Sequence, residues 1–210
     1  MDDENWSNLH KIYSQKDWAK LPSIFATQAI RYFPPSGSLL DLGAGVGQDS
    51  IYFAENRYDV TATDLFVETL SQNITQRTHQ HITVEPVDLR KKLLYDDATF
   101  NIVYAHLSLH YFDHQTTEQI FSEVYRVLKP GGVFALFANA TTDPEYGTGV
   151  EIEPDYFLID GVAKRYFSKE SIGVYLHDFE TILIDSDGET YKDREIGVHN
   201  LIRVICRKPS

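Results

Sequence analysis

The chain has 210 residues, with 19 Lys and Arg against 31 Asp and Glu, so its formal net charge is −12 with the histidines neutral. This length favours a single domain covering 1–210 and argues against a second large domain. With a sequence pI near 5.0, attraction to nucleic-acid phosphates or anionic lipid is unfavourable, so neither is an expected partner.

The cysteine usage and the start of the chain indicate a compartment. The single cysteine, Cys206, forms neither an intramolecular disulfide nor a cysteine-based zinc site, as is typical of a reducing environment. The first residues are acidic where a secretory signal is basic, and no apolar run approaches the roughly 18 residues that cross a bilayer. We therefore expect a soluble, cytoplasmic protein with no membrane partner. Its oligomeric state is left open.

The first part of the chain is predicted to be helical. Residues 3–14 carry Trp6, Leu9 and Tyr13 on one side, after acidic residues that suit a helix start. A second helix is predicted to begin near Pro22 and to stop before the two prolines at 34–35. Residues 1–35 thus form a predicted N-terminal helical cap.

Strand-like and helix-like segments then alternate. Because the strands are apolar on both faces, they predict a parallel sheet covered by helices on both sides, a doubly wound α/β fold. After a helix at 168–176, two strand-like segments follow each other directly and are predicted to pair as an antiparallel hairpin at 179–185 and 199–206. The preceding predicted strands are 38–42, 58–63, 81–86, 100–107 and 133–138, and the helices between them are 48–56, 66–77 and 116–128.

The strongest functional signal is the sequence LLDLGAGVGQD at residues 39–49. A strand leads into a glycine-rich turn and then a helix, which lets backbone N–H groups approach a ligand closely. Asp64 closes the next strand, where its carboxylate can accept bonds from ribose hydroxyls, and Asp88 with Leu89 closes the third, near an adenine ring. Each feature alone also fits a tight turn or a cap, but together they indicate a nucleoside site.

Two nucleotide-binding alternatives fit less well. The dinucleotide fingerprint of a nicotinamide-dependent reductase requires a third glycine at position 48, where this chain has Gln48. A phosphate-binding P-loop requires Gly-Lys-Ser/Thr, which the turn lacks.

On these residues, together with FNIVYA at 100–105 and RVLKPGG at 126–132, the chain resembles the class I S-adenosylmethionine-dependent methyltransferases. The resemblance covers about residues 20–140, and the small single-domain tellurite-resistance and thiopurine-type members look most similar. It implies a Rossmann-like methyltransferase fold, with a seven-stranded, mostly parallel sheet and an antiparallel C-terminal strand. It also implies S-adenosyl-L-methionine as the cofactor.

The resemblance further implies which residues hold that cofactor. The turn at 43–47 would hold the methionine part, Asp64 the ribose, and the pair at 88–89 the adenine, while 105–106 would flank the cofactor. The N-terminal aromatic residues are expected to cover it. The candidate cofactor-binding residues are Tyr13, Asp41, Gly43, Ala44, Gly45, Gly47, Asp64, Leu65, Asp88, Leu89, Ala105 and His106.

Three histidines, His106, His110 and His114, are spaced four apart. On a helix they would share a face as metal ligands do, but a strand and a turn are predicted there, so no metal site is expected. No catalytic residue is assigned. His110 is a candidate proton acceptor at the carboxyl end of the sheet, and the alternative is a packing histidine.

Residues 143–160 contain six acids and no Lys or Arg. They are interpreted either as a solvated loop or as part of a substrate lid at 141–167, with Tyr146, Tyr156 and Phe157 as apolar walls. The charge of such a lid would favour cationic or neutral acceptors over anions.

The sequence thus predicts an enzyme that transfers a methyl group from S-adenosylmethionine to a small-molecule acceptor. The named residues mainly bind cofactor, and no acid or base is obligatory. The alternative is a non-catalytic S-adenosylmethionine-binding module or partner subunit. An open acceptor pocket would favour the enzyme, whereas a pocket plugged by side chains would favour the binding module.

Overall fold

The computed structural model describes residues 3–192 and 195–210. Helix α1 covers Asp3–Ser14 and is followed by a 3₁₀ turn at Asp17–Lys20. Helix α2 covers Ile24–Ala29 and continues into a second 3₁₀ turn at Ile30–Tyr32. The Ser23 hydroxyl caps α2 by accepting from the backbone N–H of Ala26.

The main sheet has seven strands in the order β3-β2-β1-β4-β5-β10-β9. The first five are parallel, whereas β10 runs antiparallel to both β5 and β9. The predicted doubly wound fold and the C-terminal hairpin are therefore confirmed, and β9 forms the sheet edge. The strands are β1 Gly37–Leu42, β2 Tyr58–Asp64, β3 Ile82–Pro86, β4 Phe100–His106, β5 Leu128–Ala138, β9 Glu180–Lys192 and β10 Glu195–Arg207.

Helices connect the parallel strands and cover both faces of the sheet. They are α3 Gln48–Glu55, α4 Glu68–Arg77 and α5 His114–Val127, and α6 Lys169–Tyr175 precedes the hairpin. Adjacent residues Leu39 and Leu40 on β1 belong to two different core clusters, and neither has any exposed surface. Because side chains alternate along a strand, a strand buried on both faces must be apolar at consecutive positions.

A second, three-stranded antiparallel sheet lies between β5 and α6. Its strands are β6 Val150–Glu153, β7 Tyr156–Ile159 and β8 Val162–Arg165, in the order β6-β7-β8. The interpretation as a solvated loop is therefore wrong for residues 150–160, whereas residues 143–149 do form turns and bends. Tight turns with positive φ at Asp155 (61°) and Asp160 (49°) join strands of four residues, which are too short to give a clear alternation of apolar residues.

Helix length and composition also bear on membrane insertion. None of the helices in the described ranges is both long enough and apolar enough to cross a bilayer.

Candidate functional site

A cavity of about 820 Å³ opens at the carboxyl ends of β1 to β4. Its other walls come from α1 and the 3₁₀ turn after it, from the small sheet, and from β9. Ligand sites in open α/β sheets lie at this edge of the sheet. The volume is near the upper end of the range of about 300–1,000 Å³ for small-molecule sites, so it has room for more than one ligand.

Nine of the twelve candidate cofactor residues line this cavity. They come from the N-terminal segment and from the carboxyl ends of β1, β2, β3 and β4, so residues far apart in sequence share one site. They are Tyr13, Gly43, Ala44, Gly45, Asp64, Leu65, Asp88, Leu89 and His106.

The glycine-rich turn contains two glycines that face neighbouring side chains closely and one that faces open space. Gly43 and Gly47 have φ of +76° and +84°, and an added Cβ would collide with the Ser108 side chain at the first and lie 2.7 Å from Leu70 Cδ1 at the second. Gly45 also has a positive φ, +58°, but no atom lies within 4 Å of an added Cβ. The backbone at Gly45 therefore faces open cavity that a ligand can approach closely.

Asp64 ends β2 at the floor of the cavity and is only 9% exposed. Its Oδ2 accepts from the backbone N–H of Gly45 at 2.9 Å, and its Oδ1 accepts from that of Phe66 at 3.1 Å. Burial raises the pKa of Asp64, while the nearby His10 and these N–H groups oppose the rise. The side chain is thus held in one orientation with oxygen lone pairs still free.

His10 of α1 is a site residue that the sequence analysis missed. It lines the cavity, is 8% exposed, and its Nδ1 has no hydrogen-bond partner among the described residues. Nδ1 lies 3.9 Å from Asp64 Oδ1, too far for a direct hydrogen bond. A sequence signal existed, since His10 follows Trp6 by four residues and so lies on the same face of α1.

Asp88 and Leu89 follow β3 and line the cavity. Arg90 holds the Asp88 carboxylate in a two-point contact, with Nε–Oδ1 at 2.7 Å and Nη2–Oδ2 at 3.0 Å. These bonds lower the pKa of Asp88. The carboxylate is therefore ionised and oriented, with capacity for a further donor.

Three of the twelve candidates do not line the cavity. Asp41 is 2% exposed beneath the turn, where Ser50 Oγ donates to its Oδ2 at 2.5 Å, and burial raises its pKa to about 8. Gly47 packs against Leu70, and Ala105 is fully buried within β4. All three support the cavity floor from below.

A buried hydrogen-bond network supports the opposite wall. Asp49, at the start of α3, accepts from the Ser23 backbone N–H at 2.6 Å, from Ser23 Oγ at 2.7 Å and from Tyr104 Oη at 2.7 Å. Ser23 lines the cavity, so Asp49 fixes the entry to α2 against β4. Sequence analysis gave no signal for this contact.

The three spaced histidines lie in different surroundings. His106 lines the cavity and stacks on Phe137, with ring centroids 5.2 Å apart, and burial lowers its pKa. His110 is buried away from the cavity lining, and burial lowers its pKa to about 3. Nδ1 of His114 lies 2.6 Å from Tyr175 Oη. Within residues 3–192 and 195–210, no three His, Cys, Asp or Glu side chains converge on a possible metal position.

The small sheet supplies one cavity wall through Tyr156, Val162 and Ala163. Two other predicted wall residues, Tyr146 and Phe157, instead pack edge to face with each other, with centroids 5.5 Å apart. None of the six acids of residues 143–160 is among the lining residues.

The turn, the oriented acid at the end of β2 and the sheet order together define an α/β protein that binds a nucleoside cofactor. A family model described as a methyltransferase domain matches residues 40–136, just under half of the chain, and this match together with the fold supports a class I S-adenosylmethionine-dependent methyltransferase. Its cofactor is S-adenosylmethionine. The open backbone at Gly45, the remaining lone pairs of Asp64 and Nδ1 of His10, which has no hydrogen-bond partner within the described residues, fit such a cofactor.

Curated relatives match the central part of the chain. An uncharacterized methyltransferase from Synechocystis sp. is 32% identical over 105 residues, which is 49% of this chain and 47% of the relative. A malonyl-[acyl-carrier protein] O-methyltransferase from Enterobacter lignolyticus is 31% identical over 139 residues, which is 64% of this chain and 50% of the relative. The chain thus spans about half the length of these relatives.

Solved structures match nearly the whole fold. The Burkholderia thailandensis 1,6-didemethyltoxoflavin-N1-methyltransferase, with bound 1,6-didemethyltoxoflavin and S-adenosylhomocysteine, has a TM-score of 0.72 at 17% identity, covering 99% of this chain and 85% of that one. TehB from Haemophilus influenzae has a TM-score of 0.66 at 18% identity, covering 87% and 61%. At these identities the likeness establishes the fold.

Proposed function

We propose that the protein transfers the methyl group of S-adenosylmethionine to a small-molecule acceptor. The observation that carries this proposal is the cavity, which extends from the turn at 43–45 and Asp64 to Tyr111 and Tyr156, and which no side chain of the described part of the chain fills. An open acceptor region also argues against the alternative of a non-catalytic binding module.

The cofactor-binding roles that the resemblance implies are supported by the position of each residue on the cavity wall. The backbone of Gly43, Ala44 and Gly45 faces the methionine part, Asp64 accepts from the ribose hydroxyls, and Asp88 with Leu89 lies against the adenine. The charge-assisted bonds to Asp64 are the strongest of these contacts. Tyr13 and Leu65 complete the wall around the nucleoside.

His10 completes the ribose site from the N-terminal helix. A hydroxyl oxygen about 2.8 Å from both Nδ1 of His10 and Oδ1 of Asp64 spans their 3.9 Å separation. That hydroxyl donates to the carboxylate and accepts from the imidazole N–H, which satisfies the buried nitrogen. Helix α1 thus covers the cofactor with a specific polar contact as well as with aromatic rings.

The reaction requires positioning more than proton transfer. S-adenosylmethionine supplies an electrophilic methyl carbon when bound. The chain's residues hold the acceptor in line and exclude water. His110 takes no part as a base, because its position outside the lining and its low pKa leave it a poor proton acceptor.

The size of the acceptor is supported by a structural neighbour. The Burkholderia thailandensis protein is a methyltransferase that binds a small molecule together with S-adenosylhomocysteine. A site of the same kind fits the cavity of this chain, which has room for a second small ligand beside the cofactor.

Calorimetry with S-adenosylhomocysteine and with NAD tests the proposal. We expect binding of S-adenosylhomocysteine and a loss of about tenfold or more in Asp64→Asn, since that change removes charge-assisted bonds. The matched control is Asp59→Asn, an exposed position on the same strand, which should leave the affinity unchanged. Tight binding of NAD with no response to S-adenosylhomocysteine would overturn the proposal.

A further inference from the structure

The cavity divides into two halves according to strand order. The turn after β1 and the ends of β2 and β3 form a cofactor half that contains Asp64, Asp88 and Arg90. On the other side, the segment after β4 and the small sheet form an acceptor half, which we define as Trp6, Tyr111, Phe112, Tyr156, Val162 and Ala163. Trp6 belongs to this half because its ring packs edge to face on Tyr111, with centroids 4.8 Å apart.

The six residues that define the acceptor half are uncharged, although Lys16, His10 and His106 line other parts of the same cavity. Four of the six residues have aromatic rings, and the other two are small and apolar. A charged ligand placed there would lose hydration without gaining a partner of opposite charge among these six residues, which is unfavourable. A flat apolar ring would instead bury its faces against these side chains.

Nearby acids do not make this half attractive to a cation. Glu145 accepts from Lys164 Nζ at 2.6 Å, and Glu153 pairs with Arg165. Each carboxylate is therefore neutralised by a partner from β8. These two ion pairs reduce the negative field that the sequence suggested for this segment.

The Tyr156 ring is already engaged by a positive charge. The Arg165 guanidinium carbon lies over it, 5.0 Å from the ring centroid. A cationic ligand against the same ring would be repelled by Arg165. It would also compete with the guanidinium for the negative face of the Tyr156 ring. This arrangement disfavours the aromatic cage that recognises ammonium groups.

We infer that the methyl acceptor is an uncharged, flat aromatic molecule bound in the acceptor half against Trp6 and Tyr111. The inference rests on the proposed methyl transfer and adds the chemical class of the substrate. The cavity is wide enough for such a ring beside the cofactor half.

Three probes that share a naphthalene ring and differ in charge test the inference. The protein is first saturated with S-adenosylhomocysteine, and 2-naphthol, 2-naphthoate and 2-naphthylmethylammonium are then titrated in by calorimetry. We expect 2-naphthol to bind about tenfold more tightly than either charged probe, because only the charged probes lose hydration without compensation.

Two variants locate the binding. Trp6→Ala should weaken 2-naphthol binding about fivefold through the lost ring contact, whereas Tyr32→Ala, an exposed aromatic outside the cavity, should not. Ala163→Asp should make 2-naphthylmethylammonium bind more tightly than 2-naphthol, which reverses the order of the two probes. Ala163→Asn, which adds a side chain of similar size without charge, should not reverse it. A folding defect in the Ala163→Asp variant would weaken the binding of every probe and would not reverse their order.

The outcomes separate the inference from the proposed function. If S-adenosylhomocysteine binds but 2-naphthol does not, or if a charged probe binds more tightly than 2-naphthol, the inference of an uncharged aromatic acceptor is wrong and methyl transfer stands. If S-adenosylhomocysteine itself does not bind, both proposals are overturned.

Discussion

The two halves of the cavity are built in different ways. The cofactor half consists of strand ends and a turn, where backbone groups and one fixed carboxylate, Asp64, face the ligand. The acceptor half consists of side chains from α1, from the segment after β4 and from the small sheet. The first depends on backbone geometry that a short sequence dictates, and the second depends on tertiary packing.

This difference determines what each half can change without loss of the fold. A glycine with positive φ in the turn tolerates no side chain without strain. A residue of the small sheet such as Ala163 can change size or charge, because the main sheet does not depend on it. Acceptor specificity can therefore vary while cofactor binding stays the same.

The largest expected effects come from two glycines of the turn. Gly43→Ala should cost about 3 kcal/mol of unfolding free energy, because a left-handed φ is combined with a collision with Ser108. Gly45→Ala should cost only about 1 kcal/mol, since its surroundings are open, yet weaken S-adenosylhomocysteine binding about tenfold by filling the cavity. Chemical denaturation and calorimetry on both variants measure the contrast. If Gly45→Ala and Gly43→Ala lose unfolding free energy and S-adenosylhomocysteine affinity in the same proportion, the distinction between a packed glycine and an open one is wrong.

Nine of the twelve candidate cofactor residues line one cavity for a physical reason. The turn and Asp64 are close in sequence to the strands that position them, so local pattern specifies their geometry. Asp41 belongs to the same motif, but a motif does not distinguish a residue beneath the turn from one above it. The structure places Asp41 beneath.

The acceptor half could be predicted only in part. Tyr156 was expected to form a wall and lines the cavity, but Tyr146 and Phe157 pack elsewhere. The ion pairs of Glu145 and Glu153 depend on β8 folding back beside them, which no local pattern of acids reveals. The arrangement of side chains in the acceptor half therefore depends on contacts between segments that are far apart in sequence.

Asp41 gives the cofactor half a pH dependence that the acceptor half lacks. Because burial raises its pKa to about 8, the folded chain keeps a proton that the unfolded chain releases above about pH 4. The contribution of Asp41 to the free energy of unfolding is therefore present below about pH 4 and is lost as the pH rises toward 8. Asp41→Asn should raise the unfolding free energy at pH 8 by more than about 2 kcal/mol, with the gain shrinking toward pH 4.

Thermal or denaturant unfolding of Asp41→Asn across this pH range provides the measurement. Asp59→Asn, exposed on β2, is the matched control and should show no such trend. A variant that is destabilised equally at every pH would show that Asp41 is ionised in the folded protein.

His10 sharpens the comparison because it extends the cofactor half onto α1. His10→Phe should weaken S-adenosylhomocysteine binding about fivefold through the loss of one hydrogen bond. The same variant should lose part of the preference for 5′-methylthioadenosine over its 2′-deoxy or 3′-deoxy analogue, whichever lacks the bridging hydroxyl, while the bond to Asp64 maintains the rest. His79→Phe, an exposed histidine, is the control. Unchanged discrimination between the analogues would remove His10 from the ribose site.

The smallest expected effect concerns the acids beside the acceptor half. Glu145→Gln combined with Glu151→Gln should change the affinity for 2-naphthylmethylammonium by less than about twofold, because neither side chain lines the cavity and Glu145 is paired with Lys164. Titrations of the S-adenosylhomocysteine complex at about 10 mM and about 150 mM salt separate local contacts from long-range attraction, since screening shortens to about 8 Å at the higher value. A large loss at low salt that disappears at high salt would mean that the acids attract the acceptor after all. The acceptor half would then select by charge rather than by its aromatic surface.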